Sequence, residues 1–449
     1  MSDRTLASSA TGSSVLYRSP RYAYPIAVAA DGMTISDADG RKYLDMSGGA
    51  AVSCLGHGHP DVIDAICKQA ETVAFAHTAF FTSEPQETLA RIIALRFAEP
   101  GARVYFNSGG SEANETAMKL AWQYWAARDK PGKKLIISRE HSYHGNTFCA
   151  LSVSGNDLRR RASAAPLLDW PRIQPCYPYR ERLSYESLEE YACRAADHLE
   201  LALVHCGADN VAAVILEPIV GSSLGVVAAA PGYLRRIRDI CDRFGVLLIA
   251  DEIMCGSGRS GHFFAHRHDD VIPDIVTLAK GIGGGYQPLA AVVLRENIAT
   301  ELSRAGFAHG HTYIGHAIAC AAGVAVQNVI DRDDLLARTR DQGTRFIGML
   351  EQAFADHPHV GEVRGRGLFA GIELVSNRTT KAGFNNGAGL AEQLRQSAMH
   401  EGLICYPGSI QVDGHTVPHI MLAPPMIVEH EHMSECIAKL SAVFEAVLS

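Results

Sequence analysis

Val246-Leu247-Leu248-Ile249-Ala250-Asp251 and Ile275-Val276-Thr277-Leu278-Ala279-Lys280 are two short apolar runs, each ending in a charge. Their length and content are those of buried strands. A lysine at the end of a buried strand stays protonated unless its surroundings depress its pKa, and a lysine so depressed is a Schiff-base nucleophile. Gly281-Ile282-Gly283-Gly284-Gly285 follows it directly.

Helical periodicity begins near Pro60, and from there to about residue 330 strand-like runs alternate with helical ones. This is the βαβ signature of a mostly parallel sheet in an α/β protein. Ligands of such sheets gather at the carboxyl ends of the strands, so the residues after each run are the ones to read. Val104-Tyr105-Phe106 leads into Asn107-Ser108-Gly109-Gly110-Ser111, and Leu135-Ile136-Ile137-Ser138 into His141-Ser142-Tyr143-His144-Gly145. Ala213-Val214-Ile215-Leu216 ends at Glu217, and the other two runs end at Asp251 and Lys280. After Gly109-Gly110-Ser111, the positions Ala113, Ala117, Leu120, Ala121, Tyr124 and Trp125 repeat with a helical period. Ser111 is expected to cap that helix, with backbone N–H groups beside the glycines facing an anion. Taken alone, a plain strand–turn–helix with a capping serine explains the stretch equally well. Together the five tips supply a phosphate cradle, an aromatic face, two carboxylates and an amine, the set that a pyridoxal phosphate site requires.

These segments, with Glu217-Pro218, Asp251-Glu252, Ala279-Lys280-Gly281, His309-Gly310-His311-Thr312-Tyr313 and Leu422-Ala423-Pro424-Pro425, resemble the class III pyridoxal-phosphate aminotransferases from about residue 25 to the C-terminus. The resemblance implies a fold-type I homodimer with active sites at the subunit interface. It implies an amino transfer from a primary amine, diamine or ω-amino acid to a keto acid of the pyruvate or 2-oxoglutarate class, by a ping-pong mechanism. An aminomutase, a racemase or a decarboxylating aminotransferase is the alternative on the same fold. By the same resemblance, Lys280 holds the cofactor covalently and carries the proton at the substrate carbon, and Asp251 pairs with the pyridine nitrogen. Tyr143 stacks on the ring and Ile253 packs on its opposite face. Gly109, Gly110 and Ser111 belong to the phosphate site, Thr312 reaches the phosphate of the neighbouring subunit, and Glu217 orients the cofactor or its neighbours. Each has a plainer competitor: Asp251 as a helix cap or salt-bridge partner, Tyr143 as a rim tyrosine, Thr312 as a turn residue.

One departure from that family pattern bears on substrate choice. Ornithine and 4-aminobutyrate enzymes carry an arginine directly before the Leu/Phe-Ala-Pro-Pro motif and a glutamate a few residues beyond the Glu-Pro motif. This chain has Met421 and Ser222 instead. Losing a bidentate arginine changes how a keto acid's carboxylate is held, and Arg259, Arg364 and Arg366 are the replacements to examine. Gly256-Ser257-Gly258-Arg259-Ser260-Gly261 mimics a nucleotide fingerprint, but it does not sit between a strand and a helix, and it reads as a mobile loop over the site. The histidines at 262, 266 and 268 lack a metal-ligand pattern, and no metal site is expected.

The 449 residues, 47% apolar and 20% charged, suit a large and a smaller domain. Expected boundaries are a loose leader over 1–20, small-domain residues 21–60, a large domain over 61–335 and a C-terminal small-domain part over 336–449. Asp31-Gly32 and Asp39-Gly40 mark tight turns between N-terminal antiparallel strands. Towards the C-terminus the expected elements are one glycine-interrupted strand from Val363 to Leu374, a helix from Gly387 to Glu401, a strand from Leu403 to Tyr406 and a helix from Glu429 to Leu448. A net charge of −8 gives no reason to expect nucleic acid or an anionic membrane as partner. Eleven cysteines without paired spacing, and no signal-peptide pattern at Met1-Ser2-Asp3-Arg4, point to a cytoplasmic protein.

Overall fold

A computed structural model describes residues 13–19, 22–385, 387, 389–412 and 414–448. Most of the expected leader over 1–20 lies outside them.

A seven-stranded sheet forms the centre, in the order Arg103–Asn107, Ala290–Leu294, Ile275–Leu278, Leu247–Asp251, Val211–Leu216, Leu135–Arg139 and Arg172–Ile173. Six strands run the same way, and Ala290–Leu294 alone is antiparallel to both neighbours. Both faces are covered, as a parallel sheet requires. Ile249 and Ile275 point to one face, under the helix Gly110–Ala127. Leu248 points to the other, towards helices Leu188–Cys206 and Tyr233–Phe244, while Ala250, Val276 and Leu278 on that side meet helix Glu84–Phe97. This period-2 split of the apolar side chains leaves the two strands buried along their length.

The strands Ala27–Asp31, Thr34–Asp37 and Lys42–Asp45 pair antiparallel, turning at Gly32 and Gly40 with φ of 50° and 81°. Leu403–Ile404 adds to them in parallel, so the two ends of the chain share a small sheet. A second C-terminal sheet is ordered Val360–Gly365, Ala370–Leu374, His415–Leu422, Tyr406–Val412. The architecture is α/β, with a large mostly parallel sheet and a smaller α+β part built from the N- and C-terminal segments.

Three C-terminal expectations need correction. Val363–Leu374 is a hairpin of two strands, because Gly367 at φ 60° reverses the chain against the Ser260 backbone, where a Cβ would lie 2.6 Å from the carbonyl carbon. The strand expected over Leu403–Tyr406 is split, with Leu403–Ile404 in one sheet and the strand from Tyr406 in another. The helix expected from Gly387 begins at Leu390, after Gly389 at φ 87°. The last helix runs from His430 to Leu448, close to its expected limits. No helix among the described residues is long and apolar enough to cross a membrane.

Candidate active site

The carboxyl ends of the same-direction strands open into a cleft of about 640 Å3. Lys280, Asp251, Glu217, Tyr143, Ile253, Gly109, Gly110 and Ser111 all line it. Thr312 does not. It is exposed on a separate loop whose neighbours include His77 and His309.

Lys280 follows the strand Ile275–Leu278 and adopts φ 52°, a left-handed backbone that a non-glycine residue rarely takes. Its Nζ donates to the Ala50 carbonyl at 2.9 Å. That carbonyl comes from a second strained stretch, since Ala50 and Ala51 have φ of 66° and 64°. The side chain is part-open to the cleft, yet desolvation outweighs the attraction of Asp251 and brings its pKa down to about 8, with Arg159 adding a smaller downward push.

Asp251 is the last residue of its strand and is 3% exposed. Its Oδ2 accepts from Asn114 Nδ2 at 2.7 Å and pairs with His144 Nδ1 at 2.8 Å, while Oδ1 accepts from the Ile253 amide at 3.1 Å. Asn114 is itself fixed, donating to the His144 carbonyl and accepting from Thr277 Oγ1 at 2.8 Å. A carboxylate with three hydrogen-bond partners is held in one orientation. Asn114, His144 and Thr277 as its support were missed from sequence. His144 lay in the quoted loop, but Asn114 reads only as a polar residue on a helix whose other inward positions, Thr116 apart, are apolar.

Glu217 is buried, and desolvation pushes its carboxyl up to about 7, against the pull of His144 and Arg139. Arg139 Nη2 donates to the Glu217 carbonyl at 2.5 Å and stands 4.0 Å from Oε2. Glu217 Oε2 and His144 Nε2 are buried with no hydrogen-bond partner among the described residues. Such polar atoms are costly unless a bound group or water completes them.

The cradle differs from the expected capping pattern. Gly109, not Ser111, is the N-cap of the helix Gly110–Ala127, and Ser111 lies in its first turn. Ser111 Oγ accepts from the Asn146 amide at 3.0 Å, tying the two loops together. At Gly110 a Cβ would lie 2.9 Å from Ile253 Cδ1, and at Gly145, with φ 139°, 2.5 Å from Ser111 Oγ. The glycines therefore bring backbone close to the cleft where side chains would fill it.

The chain matches the family model "Aminotransferase class-III" over residues 18–444. It belongs to the class III aminotransferases. Class III aminotransferases depend on pyridoxal phosphate as a family. An uncharacterized aminotransferase of Schizosaccharomyces pombe is 37% identical over 97% of this chain and 95% of its own. A putrescine–pyruvate aminotransferase of Pseudomonas aeruginosa is 33% identical over 92% and 88%. The crystal structure of an (S)-enantioselective ω-transaminase from Thermomicrobium roseum superposes with a TM-score of 0.88 at 32% identity, covering 96% and 94%.

Within this aminotransferase the expected substitutes for the missing arginine are placed elsewhere. Met421 is fully buried in an apolar cluster with Phe369 and Ala423. Arg259 is 2% exposed and gives its Nη1 to the Leu368 and Pro424 carbonyls. Arg364 is taken up by Glu362, Glu373 and the Leu224 and Gly225 carbonyls. Neither they nor Arg366 line the cleft, whereas Arg18 and Arg159 do. Residues 256–261 are a buried turn rather than a mobile loop. Gly258 packs where a Cβ would touch Leu336 and Met426, and Gly261 where it would touch Arg340. His266 of that region pairs with the buried Glu252 at 2.6 Å.

Proposed function

We propose that this aminotransferase uses pyridoxal phosphate to move an amino group from a primary amine, diamine or ω-amino acid to a keto acid of the pyruvate or 2-oxoglutarate class. The observation that carries it is the pairing in one cleft of a lysine with a depressed pKa and a carboxylate fixed by three donors. The glycine cradle and the unpartnered Glu217 and His144 atoms suit a bound group of the cofactor's polarity. Bound there, the cofactor supplies an electron sink for the carbanion at the amine's α-carbon.

The chain's own residues do the rest. Lys280 Nζ would hold the cofactor at its aldehyde carbon and would carry a proton to and from the substrate's α-carbon. Asp251 would keep a proton on the ring nitrogen, with the Asn114–His144 brace stopping its carboxylate from turning away. Tyr143 and Ile253 would pack against the ring. Gly109, Gly110 and Ser111 offer N–H and O–H donors to the phosphate at a positive helix end. The same proposal includes a homodimer in which Thr312 serves the neighbouring site. In support, Thr312 is exposed beside an aromatic patch in which Tyr313, Phe75, His77 and Phe80 touch in turn. With Met421 in the arginine's place, donors without an α-carboxylate fit best.

The test is a panel of amines (putrescine, cadaverine, β-alanine, 1-phenylethylamine) against the holoenzyme, followed by the cofactor's visible absorption. Expected is loss of the band with amine alone and its return on adding pyruvate or 2-oxoglutarate, with parallel-line ping-pong kinetics. An amine that is isomerised or decarboxylated with no acceptor present overturns the assignment.

The lysine also sets a pH dependence. At pH 7.5 about a quarter of an amine titrating near 8 is neutral, against about one in a thousand at its ordinary value. Cofactor uptake by the apoprotein, followed by stopped-flow absorbance, is therefore expected to slow about tenfold per unit as pH falls below 7. A rate that climbs steadily to pH 10 contradicts a depressed amine. Because the folded pKa lies below the ordinary 10.5, burying the charged form costs stability at low pH, and the Lys280 contribution improves as pH rises from about 8 towards 10.5.

A further inference from the structure

We propose that Arg159 receives the carboxylate of the keto-acid acceptor, taking the place of the arginine absent at position 421. The inference rests on the aminotransferase reading above and adds the residue that selects its acceptor. An α-keto acid carries its carboxylate directly on the carbon that takes nitrogen, so the cation that holds it must stand at the cleft itself.

Geometry removes the other guanidinium groups near the site except Arg18, which also lines the cleft. Met421 is closed into an apolar cluster, Arg259 is buried outside the cleft with Nη1 on two carbonyls, and Arg364 gives its donors to carbonyls and glutamates. Arg139 is buried against Glu217, and Arg160 is turned to the carbonyls of Leu151, Ser152 and Ser154. Arg159 is the opposite case. It lines the cleft, is exposed, and sits with its guanidinium carbon 4.5 Å over the Tyr143 ring. Among the described residues its guanidinium makes one hydrogen bond, a long 3.4 Å contact from Nη1 to Tyr143 Oη. Most of its five donors are therefore available.

The support under it is built rather than loose. Arg159 lies on the short helix Asp157–Arg161, which Asn156 caps by accepting from the Arg159 amide at 3.2 Å. Arg160 pins the same helix to three carbonyls of the segment behind it. Stacking on Tyr143 holds the planar group in place while leaving its edge open, a pose that suits bidentate carboxylate pairing. Its field already reaches the Lys280 amine, which places it within range of the reacting centre. The same positive charge disfavours a second ammonium there, so a diamine donor must direct its far end elsewhere.

The experiment compares an acceptor of three carbons that carries a carboxylate with one that carries none. Holoenzyme variants Arg159→Leu, Arg159→Gln, Arg159→Lys and Arg18→Leu are assayed with one amine donor against pyruvate and against propanal, and kcat/KM is taken for each. Arg159→Leu is expected to lower the pyruvate-to-propanal ratio by about 10- to 100-fold, chiefly through KM for pyruvate. Arg159→Lys is expected to recover part of that ratio, and Arg159→Gln, which keeps the packing on Tyr143, to lose it as Leu does. An unchanged ratio, an equal fall with both acceptors, or a shift that appears in Arg18→Leu instead overturns the proposal. Failure of the wider functional reading looks different, since the wild-type enzyme would then show no band loss with any amine.

Discussion

A Lys280→Ala variant is expected to keep no more than about one part in 10^4 of wild-type turnover, because one nitrogen performs two tasks that the cleft does not duplicate. In the function proposed above it anchors the cofactor and moves the proton at the substrate carbon. Among the residues lining the cleft, the other cations are Arg18 and Arg159, both guanidinium groups that do not release a proton near neutral pH. The fold should survive. Among the described residues the lysine amine has a single hydrogen bond, to Ala50, and its burial as a cation is unfavourable. Melting of the apoprotein below pH 8 is therefore expected at or above the wild-type temperature. Single-turnover absorbance and circular dichroism together check both halves, and wild-type turnover in the variant would remove the basis of the functional reading.

Asp251→Asn should be the next most damaging change, lowering kcat by about 10²- to 10³-fold, the range seen when one preorganised electrostatic contact is lost. The amide is isosteric but neutral, so it cannot keep a proton on the ring nitrogen. It also disturbs the brace. Oδ2 meets donors from Asn114 and His144, and Oδ1 meets the Ile253 amide. An amide has one acceptor oxygen, so one of these donors must face another donor, leaving a buried polar group unpaired. A kcat loss with little change in cofactor content is the expected pattern. An unchanged kcat would mean that this carboxylate does not govern the chemistry.

Much of this site could be read from the chain because its parts sit where local pattern is strongest. An apolar run that ends abruptly in polar or charged residues marks the tip of a buried strand, and five such tips converge once the strands run the same way. That is why Lys280, Asp251, Glu217 and the Tyr143 loop were identifiable one by one. Residues on helices gave no such signal. Asn114 is 137 positions from Asp251, and only the packing of its helix across the sheet brings the two within 2.7 Å. The buried turn at 256–261 misled for a related reason. Glycine and serine runs suggest exposure, but here the missing side chains let helix Leu335–Phe354 press against the turn.

Alone, the order of residues determined the alternation of strands and helices, the chemistry at each strand tip and the loss of arginine at position 421. All of these depend on near neighbours in the chain and on what a side chain is. Which groups surround that chemistry was decided only by tertiary structure: the Asn114–His144 brace, the depressed Lys280 amine, and the placement of Arg159, rather than Arg259 or Arg364, at the cleft. Desolvation and hydrogen-bond partnership depend on what lies across a few ångströms of space, and that is fixed only when distant segments pack together.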